Sequence, residues 1–432
     1  MYKLLLISNL FPPFNTAESI CSGRTAIELC RIGWDVTVLT ISLSSSNDSI
    51  DNDLINPILN NRIIRTSSYE KFLLLSNKPV FHKIFYNGAI KLLKLLGIPE
   101  IQLLWYPNAN KIGNSILRTS NIDIIYSRSQ RIVSNITALS LKRKSGLPWI
   151  AHFSDPWIDN PYIRFNKLER IFCKHFEKNI VREADQIIFV SKRTADLVMS
   201  KYPSEYKTKV HIIPHGYTEE NLHKGPTFKF TNNKFHLVYT GDFYFERNPS
   251  GIFKALRIIN DNPIYKNKIE LIIITRHINL YKEEASRMGI EDLVIFYEKQ
   301  SFNKTRQIAS EADTLVLIDA AYPKTNIFLP SKLVDYLILR KPILGITPID
   351  GEPADLLNRL GFPVVDPNDI QGISESIIYL YKANKSNQKI ISPDFEDVIS
   401  HYNITKTTRE LDEIFKIYVS KEKPLELLRN NT

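Results

Sequence analysis

Three short segments hold residue types and spacings that could do chemistry. From Leu237 to Pro249 an apolar run meets Thr240-Gly241-Asp242 and ends in Arg247-Asn248-Pro249. Gly241 allows a ligand close approach to the backbone. Arg247, just ahead of a helix start, could fork onto a diphosphate. From Phe328 to Leu337, Pro330-Ser331 reads as a helix start, with Ser331 able to cap it and the backbone N–H groups of Lys332 and Leu333 left free. Such a terminus attracts anions, and Lys332 adds a point charge. Asp335, one turn in, could accept hydrogen bonds from paired sugar hydroxyls. From Trp149 to Trp157, His152 stands at a strand end and Asp155 in the following turn. Both types can handle protons or bind a sugar, and Trp157 could support an acceptor ring. Each segment also has a plain structural reading: a capped surface helix, a surface Arg, a turn-forming Asp-Pro.

Sharper signatures are absent. There is no Gly-x-Gly-x-x-Gly, no Walker loop and no Gly-x-Ser-x-Gly elbow, so hydride transfer on a nicotinamide and serine hydrolysis are unsupported. Asp51-Asn52-Asp53 has the spacing of a carboxylate pair for a divalent metal, but its Ser/Asn-rich setting reads as a solvated loop. No metal ligands are assigned. Cys21, Cys30 and Cys173 lack metal-ligand spacing and cannot build a disulfide framework, which fits a reducing compartment.

The elements that must position these residues are legible as alternating patterns. Strands are expected at Lys3–Ser8, Asp35–Thr40, Ile122–Tyr126, Trp149–Phe153, Gln186–Val190 and Val210–Ile213. A second series is expected at His236–Tyr239, Ile269–Thr275, Leu293–Tyr297, Thr314–Ile318, Pro342–Gly345 and Pro363–Val365. Most are apolar on both parities, as in strands covered on both faces. Helical patterns lie between them, at Ser19–Gly33, Ile132–Ser145, Leu168–Glu183, Thr194–Tyr202, Pro249–Asn260, Lys304–Ala312 and Ser331–Leu339. The alternation predicts an α/β protein with two Rossmann-like, doubly wound parallel-sheet domains facing a cleft. The polar stretch His215–Lys234 is the expected linker. The expected domains are residues 1–220 and 221–400, with a C-terminal helix and tail over 401–432, the helix packing back on the N-domain.

The 432 residues suit two domains, and 43% hydrophobic with 24% charged side chains excludes a disordered polymer. The formal charge of +10 is unevenly spread. Residues 1–225 hold 29 basic and 19 acidic side chains, and residues 226–432 hold 27 of each, so the whole excess lies in the first half. Within it, Lys71–Ile101 interleaves Lys83, Lys91 and Lys94 with Phe, Leu and Ile, and has no acid from Phe72 to Pro99. Basic amphipathic stretches of this kind lie on anionic membrane surfaces. No apolar run approaches the roughly 18 residues of a spanning helix.

Taken in order, the segments resemble a GT-B glycosyltransferase of family 4. Phe11-Pro12-Pro13, Arg24 and Gly33-Trp34-Asp35-Val36 resemble its first Rossmann-like unit. His152-Phe153-Ser154-Asp155-Pro156-Trp157 resembles the acceptor-domain turn of its polysaccharide-assembly members. Ile212-Ile213-Pro214-His215-Gly216 resembles the start of the interdomain linker. Thr240-Gly241-Asp242, Arg247-Asn248-Pro249 and Leu329–Leu337 resemble the donor half.

The resemblance implies an N-terminal acceptor domain, a C-terminal nucleotide-sugar domain, and retaining hexosyl transfer without a bound metal. The nucleotide sugar is a co-substrate, and no cofactor is implied. Arg247 and Lys332 would neutralise the diphosphate, Asp335 would bind the ribose hydroxyls, and His152 would line the sugar side, with Asp155 beside it. Gly241, Pro330, Ser331 and Leu333 would complete the donor site. The acceptor would be a growing surface glycan or a lipid-linked one, as in lipopolysaccharide or capsule assembly. The location would be cytoplasmic, peripheral on the inner face of the membrane. Two positions differ from the family pattern: the first loop reads Asn15-Thr16-Ala17-Glu18 in place of paired glycines, and Ile327 stands where the first Glu of a Glu-x7-Glu pair would be, with Asp335 at the second. Rival readings are a GT-B-fold nucleotide-sugar epimerase and a non-enzymatic basic protein that binds nucleic acid or membrane. The second would require basic and aromatic residues interleaved over one face, and no such module is seen.

Overall fold

The computed structural model describes residues 1–70, 79–220 and 228–421, with the backbone alone for 79–86 and 421. The chain forms two compact units. The first comprises Met1–Gly216 and the helix Ile404–Lys421, and the second Tyr217–Asn403.

In the first unit, β1 (Lys3–Ser8), β2 (Asp35–Ile41), β3 (Ile63–Thr66), β4 (Ile124–Ser129), β5 (Trp149–Phe153), β6 (Gln186–Phe189) and β7 (Val210–Ile212) make one sheet in the order β3-β2-β1-β4-β5-β6-β7. Every pairing is parallel. In the second, β8 (Phe235–Thr240), β9 (Ile269–Thr275), β10 (Val294–Glu298), β11 (Thr314–Ile318), β12 (Thr325–Asn326), β13 (Ile343–Ile346), β14 (Asp350–Gly351) and β15 (Val364–Val365) make a parallel sheet ordered β10-β9-β8-β11-β13-β15 and a separate β12-β14 pair. Both sheets reverse winding direction once, between β1 and β4 and between β8 and β11. Open α/β sheets bind ligands beyond the carboxyl ends of the strands at such a switch point.

The strands form because their apolar residues are covered on both faces. β8, β9 and β11 are buried along their whole length, and their side chains join one core. The expected boundaries at Lys3–Ser8, Trp149–Phe153, Ile269–Thr275 and Thr314–Ile318 match the structure, and most others differ by a residue or two. β4 is shifted: it starts at Ile124, because Ile122 donates its N–H to Ser120 and Asp123 accepts from the Lys3 amide, and it continues through Ser127-Arg128-Ser129. Those polar residues are buried inside the strand end. The four-residue edge strand β3 and the helices Tyr106–Thr119, Ile278–Arg287, Glu352–Arg359 and Ile370–Lys385 were not among the expected elements.

Within the first unit the helix Ile404–Lys421 packs on the helix Ala17–Arg31, as expected. Trp34 Nε1 donates to Asp412 Oδ1 at 2.8 Å, and Thr405 Oγ1 to Glu28 Oε1 at 2.8 Å. Phe415 lies edge-on to Trp34 and against Tyr126. Tyr217 is already part of the second core, where its N–H bonds the Tyr402 carbonyl. Within the stretch expected to be the linker, residues 221–227 lie outside the described residues.

Asp51 is buried and turns the chain by accepting from the Asp53 amide, with Asn15 Nδ2 donating to its other oxygen. The expected solvated loop is thus an ordered turn. No three His, Cys, Asp or Glu side chains cluster as a metal site among the described residues. None of the three cysteines forms a disulfide.

Candidate functional site

In the second unit, β8 runs into Gly241 with φ +110°, a backbone conformation that favours glycine. A Cβ there would lie 2.8 Å from Lys332 Nζ, so glycine at this turn makes room for the lysine head. Lys332 Nζ donates to Tyr239 Oη at 3.0 Å and stands 4.3 Å above the ring centroid of the same tyrosine. That ring stacks on Phe243 at 4.5 Å. Arg247 is buried. Its Nη2 is 2.9 Å from Asp319 Oδ1, just past β11, and its guanidinium lies 4.3 Å from the Tyr244 ring centroid. Asp319 Oδ2 accepts from Asn326 Nδ2 at 2.9 Å and from Thr347 Oγ1 at 3.0 Å.

The carboxyl ends of β8 and β11 thus gather the basic Arg247 and Lys332, with Asp319 beside Arg247 and Asp242 held by Arg276. Burial, then the charge of Arg247, lowers Lys332 from its ordinary value to about 7. A bound polyanion would restore its proton. The helix Ser331–Leu337 begins differently from the expectation: Pro330 is the cap residue, and no side chain caps the helix. Ser331 is the first helical residue, and the Leu333 N–H is spent on the Pro330 carbonyl at 3.0 Å. Of the groups expected to attract an anion at this helix start, the Lys332 side chain remains. Asp335 is half-buried on the same helix, and Ile327 half-buried in the loop before it.

The first unit gathers a different group at the same end of its sheet. Arg128 and His152 are register partners on β4 and β5, and both are buried. Arg128 Nη1 donates to Thr25 Oγ1 and to Tyr126 Oη, each at 3.2 Å. The ring of His215 stands 6.4 Å from that of His152. The Nδ1 atoms of both histidines and Arg128 Nε have no hydrogen-bond partner among the described residues. These residues, with Cys21, Thr25 and Thr407, line a cavity with room for about one water molecule. Burial, then the neighbouring charge of Arg128, holds His152 well below its usual range and His215 down at about 3. Both rings are neutral at pH 7. Glu18 is buried nearby and pushed up by burial, against the pull of Arg128. The glycine-free first loop is a helix start in which Thr16 Oγ1 accepts from the Ser19 amide.

Asp155 is half-buried in the turn after β5. Trp157 is core: it is 5% exposed, packs edge-on against Phe172 and donates Nε1 to Glu100 Oε1 at 2.7 Å. A ring so enclosed has no open face for an acceptor sugar. Burial pushes Glu100 up to about 7. Lys91 and Lys94 are exposed on the helix Pro79–Leu95. The side chain of Lys83 lies outside the described residues, as does the start of the basic stretch at residues 71–78.

Asp319, Arg128, Tyr239 and Glu18 escaped the sequence reading as site residues. For Asp319 a signal existed, since it directly follows the strand Thr314–Ile318. For Arg128 the signal was Ser127-Arg128-Ser129, a polar run at the end of an apolar strand.

Residues 24–221 match the family model described as Glycosyltransferase Family 4. The matched stretch contains Arg128, His152, His215 and the strands β2 to β7. No curated protein matches the chain in sequence. Solved structures match it along its whole length. A sucrose-phosphate synthase from Thermosynechococcus elongatus is 13% identical over 98% of this chain and 100% of its own, with a TM-score of 0.71. A glycosyltransferase from Rickettsia africae is 13% identical over 97% and 98%, with a TM-score of 0.64. HepE of Anabaena in complex with UDP-glucose is 12% identical over 96% and 100%, also with a TM-score of 0.64. At these identities the likeness is one of fold, and that fold is GT-B.

Proposed function

We propose that the protein is a glycosyltransferase that moves a hexose from a nucleotide sugar to a glycan or lipid-linked acceptor, with retention and without a bound metal. The observation that carries this reading is the pair of basic side chains, the fixed Arg247 and the titrating Lys332, near the carboxyl ends of β8 and β11. In sugar transfer the bond from the anomeric carbon to the diphosphate oxygen breaks, and negative charge builds on the leaving group. Cations already in place stabilise that charge without reorganising, and one such contact contributes roughly 3–4 kcal/mol to the transition state. Arg247 is held in place by Asp319, so it is preorganised. Lys332 is short of its proton until an anion arrives, so its charge appears where the diphosphate sits. Asp335 binds the ribose hydroxyls. His152, neutral in its cavity, adds no charge on the sugar side. The acceptor belongs to surface polysaccharide assembly, which places the protein in the cytoplasm, peripheral on the inner face of the membrane.

HepE of Anabaena has been solved with UDP, UDP-glucose and glucose, which makes UDP the first nucleotide to try. The test is a thermal-shift panel of UDP-sugars against other nucleotide sugars, followed by donor hydrolysis. A ligand at 100 times its Kd stabilises by about 2.7 kcal/mol. A well-folded sample that no nucleotide stabilises would overturn the reading. Turnover that persists in a chelator is expected, and its loss would overturn the metal-free part.

A further inference from the structure

We propose that two separate segments of the first unit, residues 91–98 and 163–178, form one docking surface for an anionic lipid bilayer. This deepens the membrane part of the reading above and needs no turnover.

The two segments are joined by a built contact. Asn166 caps the helix Lys167–Glu183 in a reciprocal box with Glu169, and its Nδ2 reaches across to the Lys94 carbonyl at 2.9 Å. Gly97, at φ +79°, lies so close to Leu168 that an added Cβ would stand 3.1 Å from the Leu168 Cβ. Around this junction large aliphatic side chains project into solvent: Leu95 is 71% exposed, Leu96 66%, Leu168 53% and Ile171 64%. Aliphatic residues exposed this far, grouped and ringed by charge, mark an interaction surface.

The charge around them has one sign. Lys91, Lys94, Arg164, Lys167, Arg170 and Lys174 are exposed. The acids of the second segment, Glu169 and Glu177, are both buried on the inner side of the helix, with Cys173 and Ile180. Residues 91–98 contain no acid. Lys167, Ile171, Lys174 and Lys178 recur at helical spacing, so the outer face is basic with aliphatic points, and the inner face is core. A face of cations with leucine and isoleucine between them suits lipid headgroups, with the aliphatic tips entering the headgroup boundary. A single-stranded nucleic acid would call for exposed aromatic platforms, whereas Phe172 and Phe176 pack against the core.

The experiment is co-sedimentation of the full chain, without donor, with vesicles of phosphatidylcholine alone or mixed with phosphatidylglycerol. Binding to the mixed vesicles only, weakening as salt is raised, is expected. Arg170→Glu with Lys174→Glu should cut the partition on the order of tenfold or more, and Ile171→Glu should also reduce it, each with unchanged melting. Equal recovery on neutral vesicles, wild-type binding by the Arg170/Lys174 variant, or binding to single-stranded DNA in place of vesicles would each overturn the proposal. UDP binding measured on the same samples separates the two readings: vesicle binding without UDP binding would sink the donor assignment and leave this surface standing.

Discussion

At the carboxyl end of β11, Asp319 grips Arg247 and is itself held by Asn326 and Thr347. At the carboxyl end of β4, Arg128 instead leans on two hydroxyls, from Thr25 and Tyr126, with two histidines beside it that lack partners at Nδ1 among the described residues. The same fold thus treats buried cations in two ways. In the second unit a carboxylate compensates the charge, and the guanidinium is fixed before any ligand arrives. In the first, burial and then the neighbouring cation depress the histidines' proton affinity, and the rings stay neutral. The contrast suits a division of labour between an anionic donor and an uncharged sugar.

That comparison can be broken most severely at Arg247. Arg247→Ala leaves Asp319 buried without its counterion, which should cost about 3–5 kcal/mol of stability. Urea unfolding would show it, and a loss below about 1 kcal/mol would mean that the pair does not hold the unit together. Loss of activity in this variant would therefore reflect folding as much as catalysis, so Arg247 is the wrong residue for a first functional test.

Lys332→Met sharpens the contrast. Its ammonium sits on a tyrosine with no carboxylate bond, so its removal should leave stability unchanged or raised. Turnover should fall on the order of a hundredfold, as for loss of one transition-state charge contact. Gly241→Ala should act in the same direction by pushing the lysine head away. A Lys332→Met protein with wild-type turnover would dissolve the donor-side assignment.

The histidines make a pH prediction. Their folded values lie below the unfolded value near 6.5, so between the two the unfolded chain binds more protons. Their contribution to stability is complete above about pH 6.5 and is lost as pH falls through the folded values. His215→Asn should make the acid limb of a stability profile shallower, and an unchanged slope would show that the ring is not held neutral. The smallest effect is expected at the returning helix. Thr405→Val removes the bond to Glu28 and should cost about 1 kcal/mol, read by urea denaturation.

Much of the fold was legible because both sheets are covered on both faces. Runs such as Leu4-Leu5-Leu6-Ile7 and Ile272-Ile273-Ile274 have no polar parity and can only be buried strands. The helix Tyr106–Thr119 was hidden by Pro107 and by Asn108, Asn110 and Asn114, which read as loop. In the folded unit, Asn114 and Ser140 bond to Asn110, and Asn108 bonds to the Ser67 carbonyl. The site was legible in part for the same kind of reason. Local spacing puts Gly241 at a strand-end turn and Lys332 at a helix start, but nothing local links Arg247 to Asp319 or Arg128 to His152. Arg128 meets His152 through the parallel register of β4 and β5, and Asp319 reaches the loop of Arg247 because β11 lies beside β8. Trp157 shows the opposite failure, where an attractive residue type after a strand proved to be a core ring tied to Glu100.

The central claim is that Lys332 charges itself against a nucleotide diphosphate. Calorimetric titration of UDP at pH 8, in buffers of different ionisation enthalpy, tests it directly. The wild type should take up most of a proton per UDP, because Lys332 rises from about 7 on binding. Lys332→Met should bind at least about tenfold more weakly, the loss of roughly one charge-assisted contact, and take up no such proton. Equal affinity with no proton uptake in either protein would contradict the account.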